Sequence, residues 1–455
     1  MNPKPSRILS VDALRGLTVL GMVLCASIGF NSGLPAWMFH AQTPPPTYAF
    51  NPEIAGLTWV DLVFPFFLLP LGAAFPLAMR KKIENGTGTG TMLRNLLRRW
   101  AILVFFALIL GNSYDIWSTA RPGWCANLFM MAVWGGLFLF LVRVKNGIVN
   151  LCGMAVLAAL AIWKVKWFGV GLDIYKSDII MMILANVALF GGLIWLFTRN
   201  TPAIRWVIFG IVAIIKALDS YLPSVLDWVP DLNGIGWCFQ MEWLQYLLIV
   251  IPGSFIGDYL LDRSRKNQQP VFDTKSTAAG LVAFAAVVFQ LWGLQSRHVA
   301  IDLAVSVALA IAFVALMWKR NDSISIPGML GFILMIAGII FDPLDGGITK
   351  DYCNLSYLFT TGGMASMMIA FFIMIEGRWD IGCKVLVMTG QNPMIAYTVT
   401  QFLITPVLTI TGAMGLITGL AEGSIFWGMM QGIILTGLMT AITCLFTKLG
   451  VFWRS

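Results

Sequence analysis

The chain has 455 residues, of which 58% are hydrophobic and only 11% are charged. Soluble domains carry about 25% charged residues, so this composition excludes a soluble fold and predicts helices that face lipid. The formal net charge of +8 does not indicate a nucleic-acid partner, because the meaning of basic residues in a membrane protein depends on which loops carry them.

Fourteen apolar stretches, each near the length that crosses a bilayer, recur from one end of the chain to the other. They predict an all-α, polytopic helical membrane protein with about 14 transmembrane helices, within a range of 11 to 14. The third, seventh and eleventh stretches are short. The predicted spans are 11–31, 57–79, 97–112, 124–142, 148–164, 178–197, 204–218, 244–261, 276–293, 299–317, 325–341, 355–375, 385–410 and 424–447.

The distribution of basic residues predicts the orientation of these spans. With the N-terminus inside, 23 of the 30 Lys and Arg residues fall on the inner side and 7 on the outer side. Basic residues concentrate in the cytoplasmic loops of membrane proteins. We therefore predict that the N- and C-termini are both cytoplasmic.

Asp12 and Arg15 stand one helical turn apart at the cytoplasmic start of the first span. In one interpretation they form an interfacial ion pair, and Asp12 also favours the helix dipole. In the other, Arg15 and the basic clusters at 80–82 and 94–99 bind the phosphates of a cytosolic nucleotide-bearing donor. Ordinary anchoring at the membrane surface explains the clusters equally well.

The loop 32–56, predicted to lie outside, contains one of the two histidines. His40 follows Trp37-Met-Phe39, an aromatic stretch that can shield an imidazole from bulk water. A neutral imidazole can take the proton of an attacking amine or hydroxyl, so His40 is a candidate general base. The alternative is an interfacial histidine among belt aromatics. We expect the other histidine, His298, to be a solvated loop residue.

Asp61 lies near the outer end of the second predicted span, where an ionisable residue at membrane depth indicates a functional site. Thr58, three residues earlier, completes a capping box, in which Asp61 satisfies a backbone donor at the helix N-terminus. Asp61 can also orient the His40 ring. Both the capping role and the catalytic role remain open.

Asn354, Ser356 and the segment 360–363 place polar and small residues on the outer half of the twelfth span. They suit either a hydrophilic pocket or close helix packing, and packing is favoured for the glycines.

The segment Gly390-Gln-Asn-Pro393 interrupts the thirteenth span, where Asn392 can cap a restarted helix. A broken span either lines a cavity or is a structural kink. Glu242, at the end of the outer loop 219–243, is also assigned to binding. The residues assigned to substrate or donor binding are Asp12, Arg15, Glu242, Asn354, Ser356 and Asn392.

The common signatures of soluble enzymes are absent from the sequence, which has no Walker loop, no G-x-S-x-G elbow and no H-E-x-x-H. Its seven cysteines include no C-x-x-C pair and no Cys/His spacing suited to zinc. We therefore predict no bound metal.

Four stretches together resemble the transmembrane heparan-α-glucosaminide N-acetyltransferases and their bacterial relatives of unknown function. They are 7–16 (RILSVDALRG), 56–67 (GLTWVDLVFPFF), 354–357 (NLSY) and 390–392 (GQN), and they span most of the chain in order. The resemblance implies one integral membrane domain over 1–455, with family-like core helices in 7–142, 244–261 and 354–448 and variable helices between.

The resemblance further implies that acetyl-CoA binds from the cytosol as the acyl donor. The acetyl group then reaches a sugar on the far side of the membrane, with an essential loop histidine just before the second motif. His40 matches that position. In this hypothesis Asp61 orients the His40 ring or caps the nearby helix. Asn392 lines the cavity, and Arg15 holds phosphates of CoA. Whether nitrogen or oxygen is acetylated stays open.

A rival hypothesis is a carrier or flippase that moves a sugar or a lipid-linked intermediate without covalent chemistry, which a broken span and polar helices suit equally well. In either case we expect a multi-pass protein of the bacterial inner membrane. Its expected partners are a small-molecule donor, a glycan acceptor and the lipid bilayer, without nucleic acid. A homodimer is compatible with the sequence.

Overall fold

The computed structural model describes residues 8–119, 122–144, 147–222, 234–266, 273–320, 322–379 and 383–453. Within these ranges the chain is helical and has no β-strand, only an isolated bridge between Val142 and Trp453. The predicted all-α architecture is therefore confirmed. The two termini predicted to be cytoplasmic, 1–7 and 454–455, lie outside the described residues.

The α-helices are numbered here in chain order. They are α1 Leu9–Ser27, α2 Val63–Glu84, α3 Thr89–Tyr114, α4 Gly123–Leu141, α5 Gly147–Trp163, α6 Ile179–Thr198, α7 Pro202–Tyr221, α8 Leu247–Arg265, α9 Thr274–Ser296, α10 Val299–Met317, α11 Ser325–Phe341, α12 Leu355–Trp379, α13 Lys384–Gln391, α14 Pro393–Val399, α15 Thr405–Ile410, α16 Ala413–Ala421 and α17 Ile425–Lys448.

Eleven helical segments in the described part of the chain are long and apolar enough to cross a membrane. This count is the lower end of the predicted range, and it confirms a polytopic membrane protein. The three predicted spans outside this set are the short ones. They form α11, an apolar helix of 17 residues, and α3 and α7, of 26 and 20 residues. Arginines 94, 98 and 99 make the first half of α3 polar.

α12 is the most buried of the candidate spans, because 89% of its apolar stretch lies inside the protein. It contacts α1, α2, α8, α9 and α11. A Cβ added to Gly363 would lie 2.5 Å from the Gly331 carbonyl oxygen of α11. A Cβ on Gly338 would likewise lie 2.5 Å from the Thr360 amide nitrogen. Close packing, rather than a hydrophilic pocket, therefore explains the small residues of this span.

Glycines of two sequence motifs bring α1 and α13 into backbone contact. A Cβ on Gly16 would overlap the Leu386 carbonyl, and one on Gly390 would overlap the Asp12 carbonyl. In lipid the hydrophobic effect does not drive helices together, so small residues that allow close approach decide where they pack. The two glycines thus fix the break in the thirteenth span beside the first helix.

That break is present as predicted. α13 ends at Gln391 and α14 begins with Pro393, and the span continues through a π-helical turn, Thr400–Ile404, into α15. The predicted capping by the Asn392 side chain is wrong. Its side chain donates instead to the Val451 carbonyl at 2.7 Å, and the Trp453 N–H donates to it at 3.4 Å. The segment after α17 is not helical, so its Val451 carbonyl and Trp453 N–H are free to bond to the Asn392 side-chain amide.

We predict that Gly16→Ala lowers the melting temperature of the protein in lipid nanodiscs. An added methyl in a packed interface costs about 1–3 kcal/mol, which exceeds the gain of about 0.5–1 kcal/mol from replacing a helical glycine. Gly135→Ala in α4 is the matched control, because nothing lies within 4 Å of a Cβ at that position. Its melting temperature should stay equal or rise. Equal effects of the two substitutions would contradict the close contact.

Candidate functional site

His40 lies in the loop after α1, and a short 3-10 helix, Trp59–Leu62, carries Asp61 into α2. The loop is tied to this helix by the Thr58 hydroxyl, which donates to the Phe39 carbonyl at 2.7 Å. The Thr43 N–H donates to the His40 carbonyl at 3.0 Å, which closes a turn after the histidine. These local bonds hold the imidazole over the start of α2.

The two residues predicted to be catalytic contact each other directly. His40 Nδ1 lies 2.6 Å from Asp61 Oδ1. The carboxylate is fully buried, whereas the imidazole is 38% exposed. Asp61 Oδ2 accepts the N–H groups of Thr58 at 2.9 Å and Ala41 at 3.3 Å. Asp61 therefore does both things that its sequence left open, because one oxygen orients the histidine and the other caps the helix.

This geometry determines which histidine nitrogen is available for chemistry. A buried carboxylate that accepts several N–H groups is an acceptor, so the hydrogen shared with it belongs to His40 Nδ1. The other ring nitrogen, Nε2, then keeps its lone pair. An imidazole held in this tautomer by a carboxylate has the form of the base in hydrolase triads.

Lys350, which the sequence reasoning missed, completes this group. Its Nζ lies 3.2 Å from His40 Nδ1, and its charge also acts on Asp61. Since Nδ1 donates to Asp61, the ammonium supplies positive charge beside the ring rather than a hydrogen bond to it. One signal was available, because Lys350 is among the 7 basic residues on the predicted outer side, where the positive-inside rule disfavours them.

The loop that carries Lys350 is fixed by a buried carboxylate. Asp342 accepts two hydrogen bonds from Arg297, both at 2.8 Å, and another from the Ile348 N–H at 2.7 Å. The Ile348 carbonyl in turn accepts the Gly56 N–H at 2.8 Å. The loop is therefore joined to the segment that leads to Thr58 and the His40 site.

Asn354 and Ser356 support this loop from the start of α12. The Asn354 amide donates to the Gly347 carbonyl at 2.8 Å, and its oxygen accepts the Ser356 hydroxyl at 2.9 Å. One turn on, the Tyr357 hydroxyl donates to the Asp61 carbonyl at 2.9 Å. These residues hold the elements of the site together.

Glu242 lies near Cys353, the residue before Asn354. It is exposed in the 3-10 helix Met241–Tyr246 and acts electrostatically on the buried thiol of Cys353. Burial raises the pKa of that thiol to about 12, so it stays protonated at neutral pH. His298 is exposed, as predicted, and stacks on Trp292 with the ring centroids 5.6 Å apart. The described residues contain no cluster of His, Cys, Asp and Glu that would hold a metal ion.

A second group of predicted residues meets at the other end of the helices, around a cavity of about 580 Å³, here called the inner cavity. Arg15, Asn392 and three further basic residues line it: Lys82, Arg99 and Arg143. These residues come from four loops or helix ends that the charge count places in the cytoplasm. Their meeting at one cavity agrees with the predicted alternation of spans, which places them all on the same side of the membrane.

The charges of the inner cavity are only partly compensated. Arg15 pairs with Asp12 at 3.4 Å, as predicted, and donates to the Pro70 carbonyl at 3.0 Å. Arg99 experiences the charges of both Arg15 and Arg143, and its buried Nε has no hydrogen-bond partner among the described residues. Guanidinium groups gathered in this way form a site suited to phosphate.

Most of the two basic clusters do not join the cavity. Arg80 pairs with Asp258 and Asp262, at 3.6 and 3.3 Å. Arg94 and Arg98 are exposed on α3. From the clusters predicted to bind phosphate, Lys82 and Arg99 therefore remain as cavity residues, and anchoring or ion pairing explains the others.

A small apolar space of about 30 Å³, here called the apolar neck, adjoins the inner cavity. Phe67, Leu184, Pro393 and Met394 line both spaces. The neck is also lined by Val63, two residues after Asp61. The apolar neck thus borders both the basic cavity and the first turn of α2, which follows Asp61 in the chain.

Comparison with known proteins places this arrangement in context. Residues 7–260, more than half of the chain, match a family described as "Domain of unknown function (DUF5009)". The human heparan-alpha-glucosaminide N-acetyltransferase is 29% identical over 108 residues. That match covers 24% of this chain and 14% of the human protein. The chain is thus distantly similar to a small part of an N-acetyltransferase.

We predict that Asp342→Ala loosens the Lys350 loop. A hydrogen bond to a charged group contributes about 1.5–3 kcal/mol, so the Ile348 amide should exchange with solvent about 10 to 100 times faster. Hydrogen–deuterium exchange of the peptide covering 343–353 measures this rate.

Asp115→Ala is the matched control, because Asp115 also pairs with basic residues on the predicted outer side, Lys164 and Lys176, each at 3.0 Å. Its exchange in 343–353 should equal that of the unmodified protein. Unchanged exchange in Asp342→Ala would show that the loop is held by other contacts.

Proposed function

This chain belongs to the DUF5009 family, a domain of unknown function, and we propose that it is a transmembrane acetyltransferase. It would move an acetyl group from cytosolic acetyl-CoA to a sugar on the outer side of the membrane. The observation that carries the proposal is the apolar neck, which borders a basic inner cavity and the first turn of the helix that follows the oriented His40–Asp61 pair. The distant similarity to a human N-acetyltransferase supports the same reaction class.

The inner cavity suits the donor. Its volume of about 580 Å³ lies within the usual range for small-molecule sites, about 300–1,000 Å³. Arg15, Arg99 and Arg143 would hold the phosphates of CoA, since planar guanidinium groups match phosphate geometry. With its nucleotide end bound there, the donor would extend its thioester into the apolar neck, which widens around it.

His40 would act as the general base. Its Nε2 takes a proton from the acceptor amine or hydroxyl as the acceptor attacks the thioester carbonyl. A C–N or C–O bond forms, the C–S bond breaks, and the proton passes to the departing thiolate. Asp61 holds the tautomer and stabilises the imidazolium, while the Lys350 ammonium favours the negative charge that develops on the carbonyl oxygen.

The same proposal covers the organisation and location of the chain. We place 1–455 in one integral membrane domain with family-like core helices in 7–142, 244–261 and 354–448 and variable helices between. His40, Asp61, Arg15 and Asn392 all lie in these core segments, which supports this division. We further propose that the membrane is a bacterial inner membrane, with the acceptor side facing outward.

We predict that His40→Ala lowers the rate of acetyl transfer about 100- to 10,000-fold, the range that general-base catalysis contributes. The measurement is transfer of labelled acetyl from acetyl-CoA to glucosamine by purified protein in nanodiscs. His298→Ala removes the only other histidine and should leave the rate unchanged. Full activity in His40→Ala would overturn the role assigned to that residue.

We predict that Arg99→Gln weakens CoA binding about 10- to 100-fold, because a charged hydrogen-bond donor contributes about 1.5–3 kcal/mol. Isothermal titration with CoA measures this in the His40→Ala background, so that turnover does not interfere. The control is Arg98→Gln on the neighbouring exposed residue, which should bind CoA normally.

The carrier hypothesis gives a different result in the same titration. A carrier for a sugar or a lipid-linked intermediate needs no nucleotide site, so CoA would not bind to the unmodified protein. The break at Asn392 and the passage through the helices are compatible with transport. Absence of CoA binding would therefore replace the acetyltransferase proposal with this alternative.

A further inference from the structure

Beyond the apolar neck, a polar space opens between the outer ends of α1, α3, α6 and the α14–α15 segment. It consists of two adjoining cavities of about 340 and 530 Å³, which share Tyr397, Gln401 and Thr405 and are here called the outer cavity. Ser27 and Tyr114, at the predicted outer ends of α1 and α3, contribute to it. It therefore lies on the side where the acceptor is proposed to bind.

The lining of the outer cavity combines aromatic rings with neutral hydrogen-bonding groups. Tyr114, Trp117 and Tyr397 supply the rings, and Gln401 and Thr405 supply an amide and a hydroxyl. Rings with a polar edge present an apolar face to C–H groups and leave hydroxyl partners at the rim. This mixture matches a pyranose sugar, which has apolar ring faces and hydroxyl groups around its edge.

One buried polar atom in this wall lacks a partner. Thr400 is 6% exposed and lines the outer cavity. Its Oγ1 has no hydrogen-bond partner among the described residues. Buried hydroxyls are nearly always paired, so this one indicates a ligand group. Thr400 also begins the π-helical turn Thr400–Ile404, and such turns occur frequently at functional sites.

The charge of the outer cavity is opposite to that of the inner cavity. Among the described residues that line it, Asp178 is the only charged one. Asp178 accepts hydrogen bonds from two neutral donors, the Met181 N–H at 3.0 Å and the Tyr397 hydroxyl at 2.8 Å. The nearby Lys164 and Lys176 pair with Asp115, each at 3.0 Å. A sulfate or carboxylate on the ligand would find no cation here.

The outer cavity adjoins the proposed route of the thioester. Met22, Ile180 and Tyr397 line both the outer cavity and the apolar neck. Val63, which lines the neck, follows Asp61 by two residues. A ligand in the outer cavity would therefore lie next to the apolar neck.

We propose that the outer cavity binds an acceptor sugar that carries no acidic group, and that it selects against sulfated or uronic sugars. This inference rests on the proposed function for the role of acceptor, but sugar binding itself does not depend on catalysis. The pyranose ring would lie against the aromatic side chains, and its hydroxyls would bond to Thr400, Gln401 and Asp178.

The binding test uses nanodiscs, because sugar-based detergents would compete for the site. Methyl β-glucoside is titrated without acetyl-CoA, and the fluorescence of the protein, including Trp117 in the cavity wall, reports its binding. Glucosamine 6-sulfate and glucuronate are titrated in parallel. We expect saturable binding of the neutral glucoside and at least tenfold weaker binding of both acidic sugars. Absence of glucoside binding, or equal binding of the acidic sugars, would overturn the proposal.

Thr400→Val tests the orphan hydroxyl. The substitution is nearly isosteric and removes a hydroxyl that pairs with nothing in the described protein, so the melting temperature should stay equal or rise. Glucoside binding should weaken about 3- to 10-fold, as expected for one lost hydrogen bond. The control is Thr398→Val, whose hydroxyl already donates to the Met394 carbonyl at 3.0 Å, and it should bind the glucoside normally.

The outcomes separate this proposal from the proposed function. Binding of the glucoside without any acetyl transfer would support the sugar site and contradict the acetyltransferase proposal. Acetyl transfer to glucosamine with the same KM in Thr400→Val and in the unmodified protein would give the opposite result. It would support the acetyltransferase proposal and contradict this sugar site.

Discussion

The arrangement around His40 depends on the bonding capacity of one buried carboxylate. Asp61 is fully buried, so each of its lone pairs needs a donor. The donors come from separate parts of the chain, namely the histidine ring, the Ala41 N–H in the loop after α1 and the Thr58 N–H before α2. Removing any one of these donors leaves a buried oxygen lone pair of Asp61 without its hydrogen bond. One side chain, Asp61, therefore both caps the helix and orients the histidine ring.

The sequence predicts this site because its elements are local. Thr58 and Asp61 are three residues apart, and the box they form follows from helix geometry alone. The pairing with His40 spans 21 residues and was expected as one of two roles. The order of spans and the charge count also predict correctly that Arg15 and Asn392 share a side of the membrane. This prediction succeeds because the alternation of spans can be counted without any knowledge of how the helices pack.

What the sequence does not predict comes from contacts between distant segments. Lys350 lies 310 residues from His40, and its position depends on the Asp342 network and on the packing of α11 against α12. Asn392 was expected to cap its own helix, but a C-terminal segment about 60 residues away competes for its amide. Glu242 was assigned to binding, and its interaction with Cys353 joins segments about 110 residues apart. Helix propensity and hydrophobic periodicity describe short stretches of sequence, so they cannot predict contacts between segments this far apart.

The opposite character of the two cavities favours acyl transfer over carriage. Moving one charged group to the centre of a bilayer costs at least about 2.5–3.5 kcal/mol, and CoA carries several phosphate charges. In the proposed function the inner cavity would keep those charges among arginines, and the outer cavity offers neutral groups and one carboxylate. The neck between them is lined by apolar side chains and Tyr397 and holds about 30 Å³. In the proposed function the phosphates of the donor would stay in the inner cavity, and only its uncharged thioester would enter the neck, where the acceptor attacks it.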